Sequence, residues 1–412
     1  MLRPQSPETV ANADLTLLGR TLNPVGSLLI ALALMTLGVG CEESGGDGGA
    51  AVANAGNTPA TAPAEGTGIP EVIGAPAIAD PATGKAGSEE RAATFLAAAE
   101  KRVAEKPNVQ GDDPAWFFLV RELKQMALGK FWEKDWAKIA QNQTDPVPSM
   151  VEFRDLLKAK GVELIIVPVP AKASIYPDKL DASFAPGDPY ALTPFLDQMK
   201  AKGLNVIDVE PLLRQHREAQ PNEKLWCAQD AHYTPQTCQI VAGLIKTEIE
   251  KGDWFAGQPK EELKRSDPAE LEIEGDQIKG SEWEGKVPKE KITIQYAGRD
   301  NGGRIEPVEP NRDSPVLLLG DSHTLVFQEG ASGGMHAKGA GLFDQLSYEL
   351  GFPLDLVGVR GSGLVQARKQ LFFTASPIEG YWEKKKAVVW VFSVREFTQS
   401  FDKIIPIPIE KP

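Results

Sequence analysis

Apolar residues fall in two rhythms along this chain. Mostly apolar runs occur at Val162–Val169 (VELIIVPV), Val316–Leu319 (VLLL), Leu354–Val359 (LDLVGV) and Ala387–Ser393 (AVVWVFS), with a more polar one at Leu204–Val209 (LNVIDV). Such β-branched runs without polar alternation predict strands of a sheet covered on both faces. Between them, apolar residues recur at helical spacing in Met150–Gly161, Leu192–Lys202 and Pro235–Lys251, near Phe343–Leu350 and near Leu364–Phe373. Gly161, Gly203 and Gly252 close three of these helices. Strand and helix therefore alternate, which predicts an α/β fold with a mainly parallel sheet of about five strands. A further helix is predicted over 88–106, with Ser88 as its N-cap. The rhythm stops between about Asp253 and Asp313, where charged, Gly/Pro-rich sequence with short alternating pieces such as KITIQYAG suits a small β-rich insertion.

The N-terminus follows neither rhythm. Arg20 precedes an uncharged stretch, Val25–Gly40, that ends at Cys41. This is the pattern of a signal peptide over residues 1–40, and it falls short of the roughly 20 apolar residues a spanning helix needs. A cysteine after small residues suggests lipid attachment at Cys41. A lipobox, however, carries Leu three residues before the cysteine, where this chain has Gly38, with Leu37 one step earlier. A lipidated terminus and an uncleaved anchor both remain open; either associates the chain with an inner or outer membrane and makes it an exported, periplasmic or membrane-anchored protein. Residues 41–87 are rich in Gly, Ala, Pro and acids with no apolar period, as expected of a tether. Residues 88–412 are expected to fold.

Charge narrows the choice of partners. The net charge of −13 is concentrated near the N-terminus: residues 41–90 hold eight acids and one lysine, and residues 1–40 sum to zero. The folded part is left only mildly acidic, without the basic field that nucleic-acid binding requires, so nucleic acid is excluded as a partner.

Two short polar motifs carry candidate chemistry. VLLLGDSHT (Val316–Thr324) puts Gly320, Asp321 and Ser322 directly after a buried strand, where functional residues of open α/β sheets lie. Ser322 there could present its hydroxyl at the rim, next to N–H groups that could face an oxyanion. Alone, Gly-Asp-Ser reads equally well as a helix-capping turn. LWCAQDAHYTP (Leu225–Pro235) adds Asp230 and His232 in a polar loop before a helix. A serine nucleophile needs an imidazole to take its proton and a carboxylate to fix that imidazole, and these residues supply both. The chain has four histidines. His216 lies in a charged helix and reads as a surface residue, His336 lies in a Gly-rich loop without an obvious partner, and His323, next to Ser322, reads as pocket lining at most. Cys227 and Cys238 lack the spacing of a metal site, so no metal is expected. With Cys41 lipidated they would form an even pair, open to a disulfide that braces the Asp/His loop or to two buried free thiols. Gly361 and Gly363 in VRGSG end another predicted strand and read equally as oxyanion-hole donors or plain turn formers.

Together these motifs resemble the SGNH-hydrolase superfamily, with the order inverted so that Asp-x-His precedes the serine. That order is similar to the alginate O-acetyltransferase family of AlgJ/AlgX-type envelope proteins. AWFFLVRELK (Ala115–Lys124), VELIIVPVPAKASIYPDKL (Val162–Leu180) and LWCAQDAHYTPQ fit the same family, and the likeness runs from about Asp112 to Phe401. The resemblance implies a three-layer SGNH-hydrolase-like domain and acetyl transfer through an acetyl-serine on Ser322, with His232 shuttling the proton and Asp230 orienting it. It implies a polysaccharide acceptor, an acetyl donor that a membrane acyltransferase could supply, and no cofactor. The family's late Arg-containing block is similar to VVWVFSVREF, making Arg395 a site candidate against the simpler reading of a surface ion pair. The GDSHT motif departs from the Thr and Tyr that alginate proteins show around the serine, leaving the acceptor's identity open. An esterase with the same triad and a polysaccharide-binding protein without catalysis are the competing functions.

Overall fold

The computed structural model describes residues 85–103, 108–185 and 191–411. The expected signal peptide, Cys41 and most of the expected tether lie outside these residues. Within them, one apolar core surrounds five strands: β1 (Glu163–Val169), β2 (Asn205–Val206), β3 (Val316–Gly320), β4 (Asp355–Gly358) and β5 (Ala387–Ser393). All pair in parallel, in the order β4-β3-β5-β1-β2. Every residue of β3 and β5 is buried, the physical meaning of their unalternating sequence. The α/β expectation is borne out, and strand limits agree within a residue or two except at β2. There the chain leaves the sheet early because Asp208 turns to accept from Thr193 Oγ1 at 2.6 Å and from the Glu210 N–H at 3.3 Å, starting the helix Glu210–Ala219.

The first helix spans Lys85–Arg102. It starts three residues before Ser88, which is therefore not its N-cap, and takes residues 85–87 from the expected tether. A short antiparallel hairpin, Asn108–Gln110 with Phe117–Leu119, and the helix Val120–Ala127 were not legible as elements.

The topology places the site. From β1 the chain moves outward to β2 on one side, and from β3 outward to β4 on the other, so β5 lies between two diverging connections. Their carboxyl ends form the crevice typical of open α/β sheets. Register sets Gly320 level with Val391 and Gly358, so Ser322 follows within two residues of the rim. The insertion forms small antiparallel sheets, Ala269–Ile273 with Glu290–Ile294 and Ala297–Asn301 with Lys264–Arg265 and Arg304–Glu306. It packs directly onto the Asp-x-His loop: a Cβ on Gly275 would collide with the Gln229 carbonyl, so only glycine allows that approach.

Candidate active site

Ser322 opens a short 3-10 turn, Ser322–Thr324, immediately past β3. Asp321 caps that turn, accepting from the His323 N–H at 2.9 Å, and this fixes the serine at the sheet rim. Its hydroxyl donates to His232 Nε2 at 2.7 Å, and His232 Nδ1 donates to Asp230 Oδ1 at 2.5 Å. The structure thus unites two loops 90 residues apart. In this tautomer Nε2 directs its lone pair at the serine hydroxyl, an arrangement that could take the hydroxyl's proton.

The Asp-x-His loop is held from several sides. The Glu290 carboxylate accepts from the Ala228 and Gln229 N–H groups at 2.9 and 3.0 Å. Lys172, fully buried, donates through Nζ to the carbonyls of Phe117, Ala228 and Asp230 at 2.6, 2.8 and 3.0 Å. Burial opposes its charge, more strongly than Glu290, Asp230 and Glu122 support it, and brings its pKa down to about 8. Asp276, from the insertion, donates its N–H to Asp230 Oδ2 at 2.8 Å and accepts the Ala231 N–H at 2.9 Å. Its carboxylate stands 3.8 Å from His232 Nδ1.

These charges tune the imidazole. Burial disfavours the charged form of His232, but the Asp230 carboxylate and, behind it, Asp276 and Asp321 outweigh burial and raise its pKa to about 9. Against its own burial, Asp230 is held well below the ordinary carboxylate range by His232 and then His336. Asp230, His232 and Asp276 set ligand-type atoms within 4.8 Å of one another. His232 already commits Nδ1 to Asp230 and Nε2 to Ser322, so the cluster serves the imidazole rather than a cation.

Other expected residues find different places. His216 bonds Glu223 at 2.8 Å near the surface. His323 does not line an open pocket: it is 1% exposed and donates through Nδ1 to Asp321 Oδ1 at 2.9 Å. His336, expected to lack a partner, donates through Nε2 to Asp230 Oδ2 at 2.9 Å. Arg395 is not in a surface ion pair. It is buried beside Glu122, 3.5 Å away, and Glu396, 3.9 Å away, at the start of the short helix Glu396–Gln399. Of the two readings for Cys227 and Cys238, the structure has the free thiols and not the disulfide: both are buried in the core, and burial pushes both thiols well up in pKa, which keeps them inert. Gly361 has φ +80° with open space around it, the geometry of a turn former. Gly363 abuts the nucleophile turn, where an added Cβ would lie 3.1 Å from Asp321 Cβ.

Sequence reasoning missed Lys172, Glu122, Asp276, Glu290 and the role of His336. Lys172 carried a signal, being a charge inside an otherwise apolar stretch; Glu122, flanked by Arg121 and Lys124, carried none. Asp276 and His336 sit in polar loops whose spacing marks nothing, and Glu290 opens the strand Glu290–Ile294 in charged sequence that does not single it out.

A Ser–His–Asp chain of hydrogen bonds at the carboxyl rim of a five-stranded parallel sheet defines an SGNH-hydrolase-like domain. The family described as "SGNH hydrolase-like domain, acetyltransferase AlgX" matches residues 109–393, and the chain belongs to it. The chain is similar to the probable alginate O-acetylases AlgJ of Pseudomonas aeruginosa, 28% identical over 149 residues, and of Azotobacter vinelandii, 30% identical over 149 residues. Each alignment covers 35% of this chain and 34% of the relative, so the chain spans about a third of the length of the curated relatives it matches. The O-acetyltransferase domain of Pseudomonas putida AlgJ shares the fold, with a TM-score of 0.52 at 18% identity over 72% of this chain and 94% of that one.

Proposed function

We propose that the chain is an O-acetyltransferase that moves an acetyl group through an acetyl-serine to a hydroxyl of an exported, alginate-like polysaccharide. The observation that carries this reading is the unbroken line Ser322 Oγ–His232 Nε2, His232 Nδ1–Asp230 Oδ1, at 2.7 and 2.5 Å, in a member of an acetyltransferase family. Ser322 Oγ attacks the donor carbonyl as its proton passes to His232 Nε2. The tetrahedral oxyanion collapses, the leaving group takes that proton, and acetyl remains on Ser322. A sugar hydroxyl then attacks the acetyl carbon and gives its proton to His232, which returns it to Ser322 Oγ as the sugar ester departs. Asp230 stabilises the imidazolium in both halves. The Ser322 N–H, which has no acceptor among the described residues, and that of Gly363 are the candidate oxyanion donors.

The reaction belongs in the cell envelope, with the N-terminus holding the chain at a membrane and Cys41 as the candidate lipid attachment point. Among the described residues no helix is long and apolar enough to cross a bilayer. The acetyl donor would be delivered by a membrane acyltransferase.

The test incubates the full chain with a small acetyl ester and oligosaccharide acceptors, and follows acetyl on Ser322 by mass. Acetylated oligosaccharide and an acetyl adduct that disappears in Ser322→Ala are expected. Free acetate as the sole product would reassign the chain as an esterase, and full transfer by Ser322→Ala would remove Ser322 from the mechanism.

A further inference from the structure

Asp230 is shared more widely than a triad requires. Its Oδ1 accepts the His232 ring and the His232 N–H, at 2.5 and 3.0 Å. Its Oδ2 accepts the Asp276 N–H at 2.8 Å and His336 Nε2 at 2.9 Å. His336 comes from a loop that neither motif includes, and only 6% of its side chain is exposed. Its ring lies 5.4 Å from that of Phe327, tilted by 35°. Its backbone has φ 65°, a left-handed conformation that costs energy in a residue with a Cβ. The loop accepts that cost while aiming the ring at a buried carboxylate.

We infer that His336 is a positioning residue: by holding Asp230 Oδ2 it locks the carboxylate plane and draws charge from the oxygen that faces His232. The inference rests on the catalytic reading of Ser322, His232 and Asp230. The charged groups around His336 are Asp230 and His232 from the loop before the helix Pro235–Ile249 and Asp276 from the insertion. On its own loop the charges are spent elsewhere, Lys338 on Glu309 at 2.6 Å and Glu329 on Arg360.

The direction of the effect follows from charge. A donor on Oδ2 stabilises the carboxylate and weakens its pull on the His232 proton. This makes His232 easier to deprotonate, so removing His336 raises the His232 pKa, and the neutral base appears only at higher pH.

Two substitutions separate this from a structural role. Asparagine is tolerated at left-handed φ, but its amide ends about where Nδ1 lies and falls short of Asp230. Glutamine reaches the Nε2 position, and Gln143 already adopts φ 59° in this chain. In His336→Asn the acidic limb of kcat/KM for a small acetyl ester should move up by about one pH unit, lowering kcat/KM at pH 7 about tenfold. His336→Gln should stay near wild type in both. Titration of the His232 ring by NMR, which needs no turnover, should show the same upward displacement in the Asn variant only. An unmoved His232 titration in folded His336→Asn would overturn the inference, whatever its melting temperature. Absence of turnover in the wild type would instead strike at the proposed function, and the ring titration would still decide the role of His336.

Discussion

The chain contains the same local device twice. In Asp230-Ala231-His232 and again in Asp321-Ser322-His323, the aspartate Oδ1 accepts both the N–H and the ring Nδ1 of the histidine two residues on, at 3.0 and 2.5 Å in the first and 2.9 and 2.9 Å in the second. Short-range sequence dictates this much, since an aspartate readily bonds the backbone two positions ahead. Their surroundings diverge. The first imidazole points Nε2 at a serine hydroxyl and has the Asp276 carboxylate nearby. The second is 1% exposed; burial, reinforced by the charges on His232 and Arg395, outweighs the pull of Asp321 and depresses its pKa. One unit therefore forms a base that readily holds a proton, and the other a neutral brace that fixes the nucleophile turn to β5 through Asp321 Oδ2 and the Ser393 N–H, 2.8 Å apart. The motif makes the geometry, and the tertiary charges assign the role.

The sharpest way to break this contrast is to remove each imidazole in turn. His232→Ala deletes the proton acceptor, and kcat for acetyl-ester turnover should fall roughly 10⁴-fold or more. In His323→Asn the amide nitrogen replaces Nδ1 on Asp321, and kcat should stay within about tenfold of wild type, the cost of one perturbed hydrogen bond to a carboxylate. Equal losses at both positions, at matched thermal stability, would mean that the second unit takes part in proton transfer.

The two units also differ in what holds them, which Lys172 tests. The second unit hangs on a sheet strand, whereas the first is a loop fastened by the Lys172 ammonium to three carbonyls. Lys172→Met keeps the volume and loses three charge-assisted bonds, while relieving the burial of a charge. The net loss should be about 3 kcal/mol in urea unfolding, with a fall in kcat of the folded protein as Asp230 loses its anchor. Lys385 is the control: equally buried, but at the amino end of the sheet, it bonds the Arg312 and Ser314 carbonyls at 2.8 and 3.0 Å and pairs with Asp355 at 2.9 Å. Lys385→Met should cost comparable stability and leave kcat of the folded protein unchanged. A fall in kcat for Lys385→Met matching that of Lys172→Met would show that any loosening of the core harms the site.

Legibility followed the range of the forces. Strands β1, β3 and β5 could be read almost to the residue because burial on both faces leaves an unbroken apolar run. Strand β2 could not, because its end is set by Asp208 bonding to Thr193 and Glu210, a choice that the run Leu204–Val209 does not display. At the site, Ser322, His232 and Asp230 were legible because each motif is local and sits at a predictable strand or helix end. Asp276 and His336 were not, since each meets Asp230 only after the insertion and the 336 loop have folded over it. Arg395 was legible as a site candidate by family likeness, with a surface ion pair as the competing reading, and nothing in VREF reveals that Glu122, 273 residues away, takes it inside. The thiols show the same limit: a spacing of eleven residues allows a disulfide, and only the packing of Cys227 and Cys238 into the core shows two separate free thiols.

The finest test of the comparison lies where the two units touch. Tyr233, next to His232 in sequence, donates its hydroxyl to the His323 carbonyl at 2.5 Å, and its ring meets the His323 ring edge-on at 5.0 Å. Among the described residues it is the direct hydrogen bond from the base loop to the nucleophile turn, apart from the Ser322–His232 contact itself. Tyr233→Phe keeps the ring and leaves one buried carbonyl without its donor, which should cost about 1 kcal/mol in urea unfolding. If Lys172, Glu290 and Asp276 already hold the base loop, kcat should change by less than about threefold, because the serine–imidazole distance does not depend on this bond. A fall in kcat of about a hundredfold at that small stability cost would locate the alignment of the two loops in Tyr233 itself, and the backbone clamps would then be supports of the fold alone.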